Sequence, residues 1–185
     1  MVRQISDPLD KLMDYNIDVE KREIYLTEAI EDETAAQFIK GLNFLAKSGK
    51  EITVFISCPG GSDYSMFAMY DAMRNCGVPI RTIALGWCMS AAPLLLAAGT
   101  LGKRYVGENC SVMIHQSHGE IYGRTIDHKT ETKHWDHLEK RWCELMERHT
   151  KKDRKFWGKI TENVDKFLTA KQAITYGLAD YIWGD

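Results

Sequence analysis

A serine stands just before an apolar, proline-containing helix in the segment GWCMSAAPLLLAAG, residues 86–99. Proline inside a helix costs about 3 kcal/mol, but in the first turn its missing N–H has no partner to lose. Pro93 therefore predicts that Ser90 is the N-cap and that Ala91 is the first helical residue. The free N–H groups of such a turn favour a developing oxyanion. Ser90 is a candidate nucleophile, although serine is also an ordinary N-cap residue.

A second turn with accessible backbone follows an earlier strand pattern, in CPGGS, residues 58–62. Its two glycines lack the Cβ atoms that would keep backbone N–H groups away from a ligand. One glycine pair alone is most simply a strand-to-helix turn. Two such turns after successive strands favour a common cleft, because α/β proteins bind ligands at the carboxyl edge of the sheet.

A serine nucleophile needs a general base and a group that orients this base. His115 is the candidate base, because it alone among six histidines ends an apolar strand pattern, SVMIH. The others lie in polar segments and are predicted to be solvated: His118, His128, His134, His137 and His149. The residues leave the carboxylate open, since Asp165, Asp153 and Asp180 are all admissible.

The remaining ligand-type residues predict neither a metal nor a cofactor. His134 and His137 lie one helical turn apart, but without further ligands nearby they make a weak metal site. The five cysteines are odd in number and form no CxxC pair, which is typical of reduced thiols in a cytoplasmic protein. Cys88 precedes the predicted cap and is a poor rival to Ser90.

Strand and helix patterns alternate along the chain, which predicts an α/β domain of βαβ units. The strand patterns are REIYLTEA, EITVFIS, IRTIAL, SVMIH and DYIW. One helix is predicted after a capping box of Thr34 with Gln37, and the last helix after a capping box of Thr169 with Gln172. Buried methionines are expected on the inner face of the helix that Gly77 closes.

A long helix is predicted at about residues 125–149. Its apolar face carries two tryptophans and three aliphatic side chains: Trp135, Leu138, Trp142, Leu145 and Met146. A face of this size is hard to bury within one small domain, which suggests an interface between copies.

The totals are those of one medium-sized domain, here residues 21–185, preceded by an N-terminal arm at 1–20. The net charge of -2 gives no global field that would attract nucleic acid or an anionic membrane. Apolar runs stay below the ~18 residues of a membrane span, and the N-terminus is typical of neither a secretory signal nor a transit peptide.

Six segments occur in a fixed order along the chain: TEAIEDETAAQFIKGLNFL, ISCPGGS, LGWCMSAAPLLLAAG, KRYVGENCSVMIHQ, ELMERHT and DKFLTAKQAITYGLAD. In this order they resemble the proteolytic subunit of Clp protease, from about residue 20 to residue 183. The resemblance implies the α/β fold that Clp protease shares with crotonase, with a protruding handle helix at about 125–149.

The resemblance also implies roles for individual residues. The family's nucleophile falls on Ser90, its general base on His115 and its orienting carboxylate on Asp165, and its oxyanion donors fall on the N–H groups of Gly61 and Ala91. The implied function is the ATP-independent peptidase core of a self-compartmentalising serine endopeptidase, which cleaves unfolded polypeptides and peptides through an acyl-enzyme.

Some positions depart from the family pattern. Met89 replaces a small residue before the serine, Ala91 replaces a methionine after it, and Ser117 replaces a proline after the MIHQ block. These changes reshape the rim of the cleft and leave the peptide preference open.

The resemblance implies a homo-oligomer of two stacked heptameric rings, fed with unfolded proteins by an AAA+ unfoldase. The arm MVRQISDPLDKLMDYN does not match the axial loop with which relatives contact the unfoldase, so this pairing is left open. Two alternatives remain: a crotonase-like acyl-CoA enzyme, which lacks a convincing carboxylate pair here, and a non-catalytic ring subunit.

Overall fold

A computed structural model describes residues 16–117, 124–162 and 164–184 of the chain. Most of the predicted arm lies outside these ranges, as does His118. The boundary that we place after residue 20 stays a prediction. None of the helices in the described ranges is long and apolar enough to cross a membrane.

Within the described residues, eight strands join in one sheet. They are Ile17–Asp18 (β1), Glu23–Leu26 (β2), Ile52–Cys58 (β3), Ile80–Met89 (β4), Arg104–Val106 (β5), Ser111–Ile114 (β6), Lys166–Leu168 (β7) and Tyr181–Ile182 (β8). Strands β2, β3, β4, β5 and β8 follow one another in parallel. Strand β1 pairs antiparallel with β2, and β7 pairs antiparallel with β6.

Six helices are described between and beyond these strands. They are Asp32–Ala46 (α1), Asp63–Asn75 (α2), Ala92–Ala97 (α3), Thr125–His149 (α4), Arg154–Thr161 (α5) and Ala170–Tyr176 (α6). Helices α1, α2 and α3 each connect two neighbouring parallel strands, so the predicted βαβ organisation is confirmed. Helix α4 has the predicted bounds, and the side chains that are described in its first turns are exposed.

Strand β4 changes neighbours along its length. Its first part pairs with β5 over Thr82, Ile83 and Ala84, and its last part pairs with β6 from Trp87 to Met89. Strand β3 stays beside β4 throughout, with one irregularity between Ile56 and Cys58. The sheet therefore divides along β4, with β5 and β8 in one branch and β6 and β7 in the other.

Of the two predicted capping boxes, the one near the C-terminus is present and the one at the first long helix is not. The capping box of Thr169 with Gln172 is confirmed, and Gly177 ends that helix in the left-handed conformation. The capping box of Thr34 with Gln37 is wrong, because helix α1 begins at Asp32 and the Thr34 hydroxyl donates to Ala29 O instead. The helix therefore begins about one turn earlier than the capping box predicted.

The apolar face of α4 is largely buried within the chain, contrary to our prediction. Leu138, Leu145 and Met146 are buried, and the Trp142 ring packs edge-on against Trp157 at 6.1 Å. Trp157 belongs to helix α5, which therefore covers part of this face. The sequence patterns did not predict this contact. The face is therefore no argument for an interface between copies. The methionines of α2 are buried as expected.

His149 was predicted to be solvated, and this is wrong. Its ring lies against Tyr70, with Nε2 2.9 Å from the phenol oxygen. Burial, together with the positive charges of Arg74, Arg148 and Arg104, lowers the pKa of His149 to about 4. His149 is a packing residue at the end of α4.

Candidate active site

The pairing of three strands brings Ser90, His115 and Asp165 together. Met89, the last residue of β4, pairs with Met113 of β6, so Ser90 and His115 leave the sheet side by side. Ile114 pairs with Lys166 across the antiparallel β6–β7 ladder, which places the preceding Asp165 opposite His115. The three residues are far apart in sequence, and the register of the sheet alone aligns them.

The side chains of Ser90 and His115 are in direct contact. His115 Nε2 lies 2.8 Å from Ser90 Oγ, which is hydrogen-bonding distance. On the other side of the imidazole, Nδ1 lies 3.4 Å from Asp165 Oδ1. The His115 side chain is 15% exposed, whereas that of Asp165 is 61% exposed. The serine–histidine contact is thus short and mostly buried, whereas the histidine–aspartate contact is longer and more exposed to solvent.

The other two carboxylates that the sequence left open have structural roles elsewhere. Asp153 is the N-cap of α5 and accepts a hydrogen bond from the Phe156 N–H. Asp180 forms an ion pair with the buried Arg104. Burial alone would raise the pKa of Asp180, but the hydrogen bonds and charge of Arg104 outweigh it and lower this pKa. Of the three candidates, Asp165 is the one beside His115.

Ser90 lies in a strained backbone conformation rather than at the predicted N-cap. Its φ is 58°, whereas the N-cap position belongs to Ala91 and helix α3 begins one residue later. The Ser90 N–H still donates to Met113 O at 2.8 Å, so the chain must reverse at Ser90 to enter the helix. Non-glycine residues rarely adopt a positive φ, and such strain is concentrated at functional sites.

The glycine turn packs directly against the serine turn. A Cβ on Gly60 would overlap the Cβ of Ser90 and lie only 2.6 Å from Met89 O. The bridge to Ile30 is made by Gly60 O and Ser62 N, which lie on either side of Gly61. The Gly61 N–H is therefore not used by this bridge, and Gly61 lines the same cavity as Ser90 and Ala91.

The cavity beside Ser90 and His115 has a volume of about 250 Å³. One side is formed by the two turns and the segment after β6. The opposite side is formed by helix α4, through the half-buried Trp135 and Trp142 and the buried Leu138. The candidate nucleophile Ser90, the candidate base His115 and the two candidate oxyanion donors thus line a cleft large enough for a side chain of a peptide.

The cleft has further lining residues that the sequence analysis missed. Glu139 on α4 and Asp63 at the start of α2 both line it, as does Gln116. Glu139 could have been found from its spacing, since residues 135, 138, 139 and 142 share one helix face. Asp63 gave no comparable signal, because an acidic residue in a first helical turn is ordinary.

Two rival assignments from the sequence concern Cys88 as a nucleophile and His134 with His137 as metal ligands. Cys88 is fully buried, and burial raises its thiol pKa well above the ordinary value. His134 lies 2.9 Å from the hydroxyl of Tyr64 through Nε2. In the part of the chain that is described, no three His, Cys, Asp or Glu side chains are grouped to hold a metal ion.

A serine–histidine pair at the end of a parallel strand is typical of an α/β serine hydrolase. Sequence similarity to known proteins shows which family the chain belongs to. The sequence model described as Clp protease matches residues 10–185. ATP-dependent Clp protease proteolytic subunit 2 of Corynebacterium jeikeium is 36% identical over 181 residues, which is 96% of this chain and 83% of that protein. The ATP-dependent Clp protease proteolytic subunit of Carsonella ruddii is 33% identical over 175 residues, 94% of this chain and 90% of that protein.

The chain therefore belongs to the Clp protease family of serine peptidases. The resemblance inferred from six segments is confirmed, and so are the fold class and the enzyme class. Among the alternatives, the crotonase-like acyl-CoA enzyme is not supported by these relatives.

Substituting Gly60→Ala tests the contact between the two turns. Because a Cβ there overlaps Ser90, we expect peptide hydrolysis to fall by about 100-fold or more, the scale of a lost oxyanion donor. Gly49→Ala is the matched control, since Gly49 also has a positive φ but nothing lies within 4 Å of the added Cβ. The control should lose about 1–2 kcal/mol of stability and keep its activity. Wild-type hydrolysis by the folded Gly60→Ala protein would contradict this packing argument.

Proposed function

We propose that Ser90, His115 and Asp165 form the catalytic triad of this serine peptidase. The observation that carries the proposal is the 2.8 Å contact between His115 Nε2 and Ser90 Oγ. It leaves the imidazole within reach of the hydroxyl proton, which is the first geometric requirement for a general base.

The proposed reaction has two stages. His115 accepts the proton of Ser90 as the oxygen attacks the scissile carbonyl, and it then donates this proton to the departing amine, leaving an acyl-enzyme. In the second stage His115 takes a proton from water, the resulting hydroxide attacks the ester, and Ser90 regains its proton. No step requires a metal or a cofactor.

The N–H groups of Gly61 and Ala91 are the proposed oxyanion donors. Two features support them: both residues line the cavity with Ser90, and the bridge to Ile30 does not use the Gly61 N–H. Ala91 also precedes helix α3, where the first N–H groups have no acceptor within the helix. Fixed donors of this kind stabilise the charge that develops on the carbonyl oxygen.

Asp165 is proposed to hold the imidazole in the tautomer that leaves Nε2 free to accept the serine proton. Its 3.4 Å distance is longer than an ordinary hydrogen bond. Catalytic contacts of this kind often shorten once substrate is bound. Because Asp165 is also well exposed, its contribution should be smaller than that of a buried triad carboxylate.

We also propose that the chain works as a subunit of an ATP-dependent assembly in the cytoplasm. The similar proteins are named proteolytic subunits of ATP-dependent Clp proteases, and the resemblance implies two stacked heptameric rings fed with unfolded proteins by an AAA+ unfoldase. Two exposed aromatic side chains support association, because Tyr181 and Trp183 are 54% and 42% exposed in the single chain. Both contact the half-buried ring of Tyr105, and Trp183 also contacts the half-buried ring of Phe55.

Substitution of the triad residues tests the catalytic proposal. Ser90→Ala should abolish both hydrolysis of fluorogenic peptides and labelling by a fluorophosphonate. Asp165→Asn should lower hydrolysis by about 100-fold, less than the ~10,000-fold seen for a buried triad aspartate. Asp153→Asn is the matched control, because asparagine caps a helix as well as aspartate does.

The outcome also separates a protease from a non-catalytic ring subunit. Unchanged labelling of Ser90→Ala would place the nucleophile elsewhere. A wild-type protein that neither hydrolyses peptides nor reacts with the fluorophosphonate would support the non-catalytic alternative.

Native mass measurement tests the assembly. Two heptameric rings contain fourteen chains of 21.2 kDa, so a mass of about 300 kDa is expected. A monomer of about 21 kDa at micromolar concentration would contradict the ring proposal.

A further inference from the structure

Glu139 occupies an unusual position on helix α4. It lies on the face that lines the cleft, together with Trp135, Leu138 and Trp142. The other Asp, Glu, Lys and Arg side chains described on this helix are exposed, whereas Glu139 is half-buried. A carboxylate in an apolar wall costs free energy of desolvation. Folding alone therefore does not favour it.

The contacts of Glu139 do not neutralise its charge. Its Oε1 accepts a hydrogen bond of 2.8 Å from the amide of Gln116, the residue after His115. A second carboxylate, Asp63, lines the same cleft and accepts a hydrogen bond of 2.6 Å from the Ser117 hydroxyl. Both donors are neutral, so neither carboxylate is part of an ion pair through these contacts.

Among the described residues that line the cavity there is no lysine and no arginine. Two carboxylates beside Ser90 and His115 therefore give the cleft a negative potential, which attracts cations and repels anions.

The walls also match the shape of a basic side chain. Lysine and arginine combine a long apolar stem with a cationic head group. The stem can pack on the tryptophan rings, the head group is attracted to their faces, and it can form a charge-assisted hydrogen bond with the carboxylate. The cavity of about 250 Å³ accommodates one such side chain.

We propose that Glu139 is a specificity-determining residue that selects a lysine or arginine side chain at the residue whose carbonyl carbon Ser90 attacks. Asp63, which lines the same cleft, strengthens the same negative field. This inference rests on the proposed function, because it places the substrate side chain relative to Ser90.

The test uses fluorogenic peptides that are identical except at the residue before the scissile bond. Arginine is compared with citrulline, which has nearly the same shape but no charge. For the wild-type protein we expect kcat/KM for arginine to exceed that for citrulline by about tenfold, the scale of a charge-assisted hydrogen bond. The preference should weaken as ionic strength rises, because salt screens a partly exposed pair.

Substitution then assigns the preference to its residue. Glu139→Gln keeps the size of the side chain, and it should reduce the ratio of arginine to citrulline to about 1–3. Glu139→Lys should instead favour glutamate over glutamine at the same position. Glu131→Gln is the matched control, since it removes the same charge from an exposed position on α4 and should keep the wild-type ratio. Each ratio compares two substrates on one protein, so a loss of folded protein cancels.

The outcomes distinguish this inference from the proposed function. Equal hydrolysis of the arginine and citrulline peptides by the wild-type protein would overturn the role of Glu139 and leave the triad intact. A tenfold ratio that survives in Glu139→Gln would also overturn it. A wild-type protein that cleaves no peptide and resists the fluorophosphonate would overturn both proposals.

Discussion

The site depends on the strand register at the carboxyl end of β4. There β4 lies between β3 and β6, with Cys58 paired to Cys88 and Met89 paired to Met113. Each of the three strands is followed by one part of the site: the glycine turn follows β3, Ser90 follows β4, and His115 follows β6. A slip of one residue in any ladder would turn the side chains to the opposite face. The buried apolar residues of these strands therefore position the chemistry as well as stabilise the fold.

At this edge of the sheet, the backbone of Ser90 is tightly constrained, whereas the side chain of Asp165 is not. Ser90 is held in a left-handed conformation by its bond to Met113 and by the close packing of Gly60. Such strain persists only where the surrounding structure determines the backbone fully. Asp165, by contrast, directly precedes β7, a short strand at the edge of the sheet, and its side chain is mostly exposed. The proposed nucleophile is thus preorganised, while the group that orients the base remains adaptable.

Much of this arrangement could be predicted from local patterns, and the failures have physical causes. Pro93 correctly indicated a helix start, but no local pattern shows that Ser90 stays bonded to β6 and must reverse the chain. The choice among Asp153, Asp165 and Asp180 depends on the antiparallel β6–β7 pairing, which is a long-range contact between short strands. The apolar face of α4 was interpreted as an interface because its contact with Trp157 of helix α5 is a tertiary contact that no local pattern shows. The charge of the cleft was missed because Asp63 and Glu139 come together only in the folded chain.

The most direct test of the account is the crystal structure of the protein after reaction with a fluorophosphonate. We expect a single adduct on Ser90 Oγ, with the phosphoryl oxygen about 2.7–3.1 Å from the backbone nitrogens of both Gly61 and Ala91. His115 Nε2 should remain within hydrogen-bonding distance of the modified serine oxygen. An adduct on another residue, or a phosphoryl oxygen directed away from both amides, would contradict it.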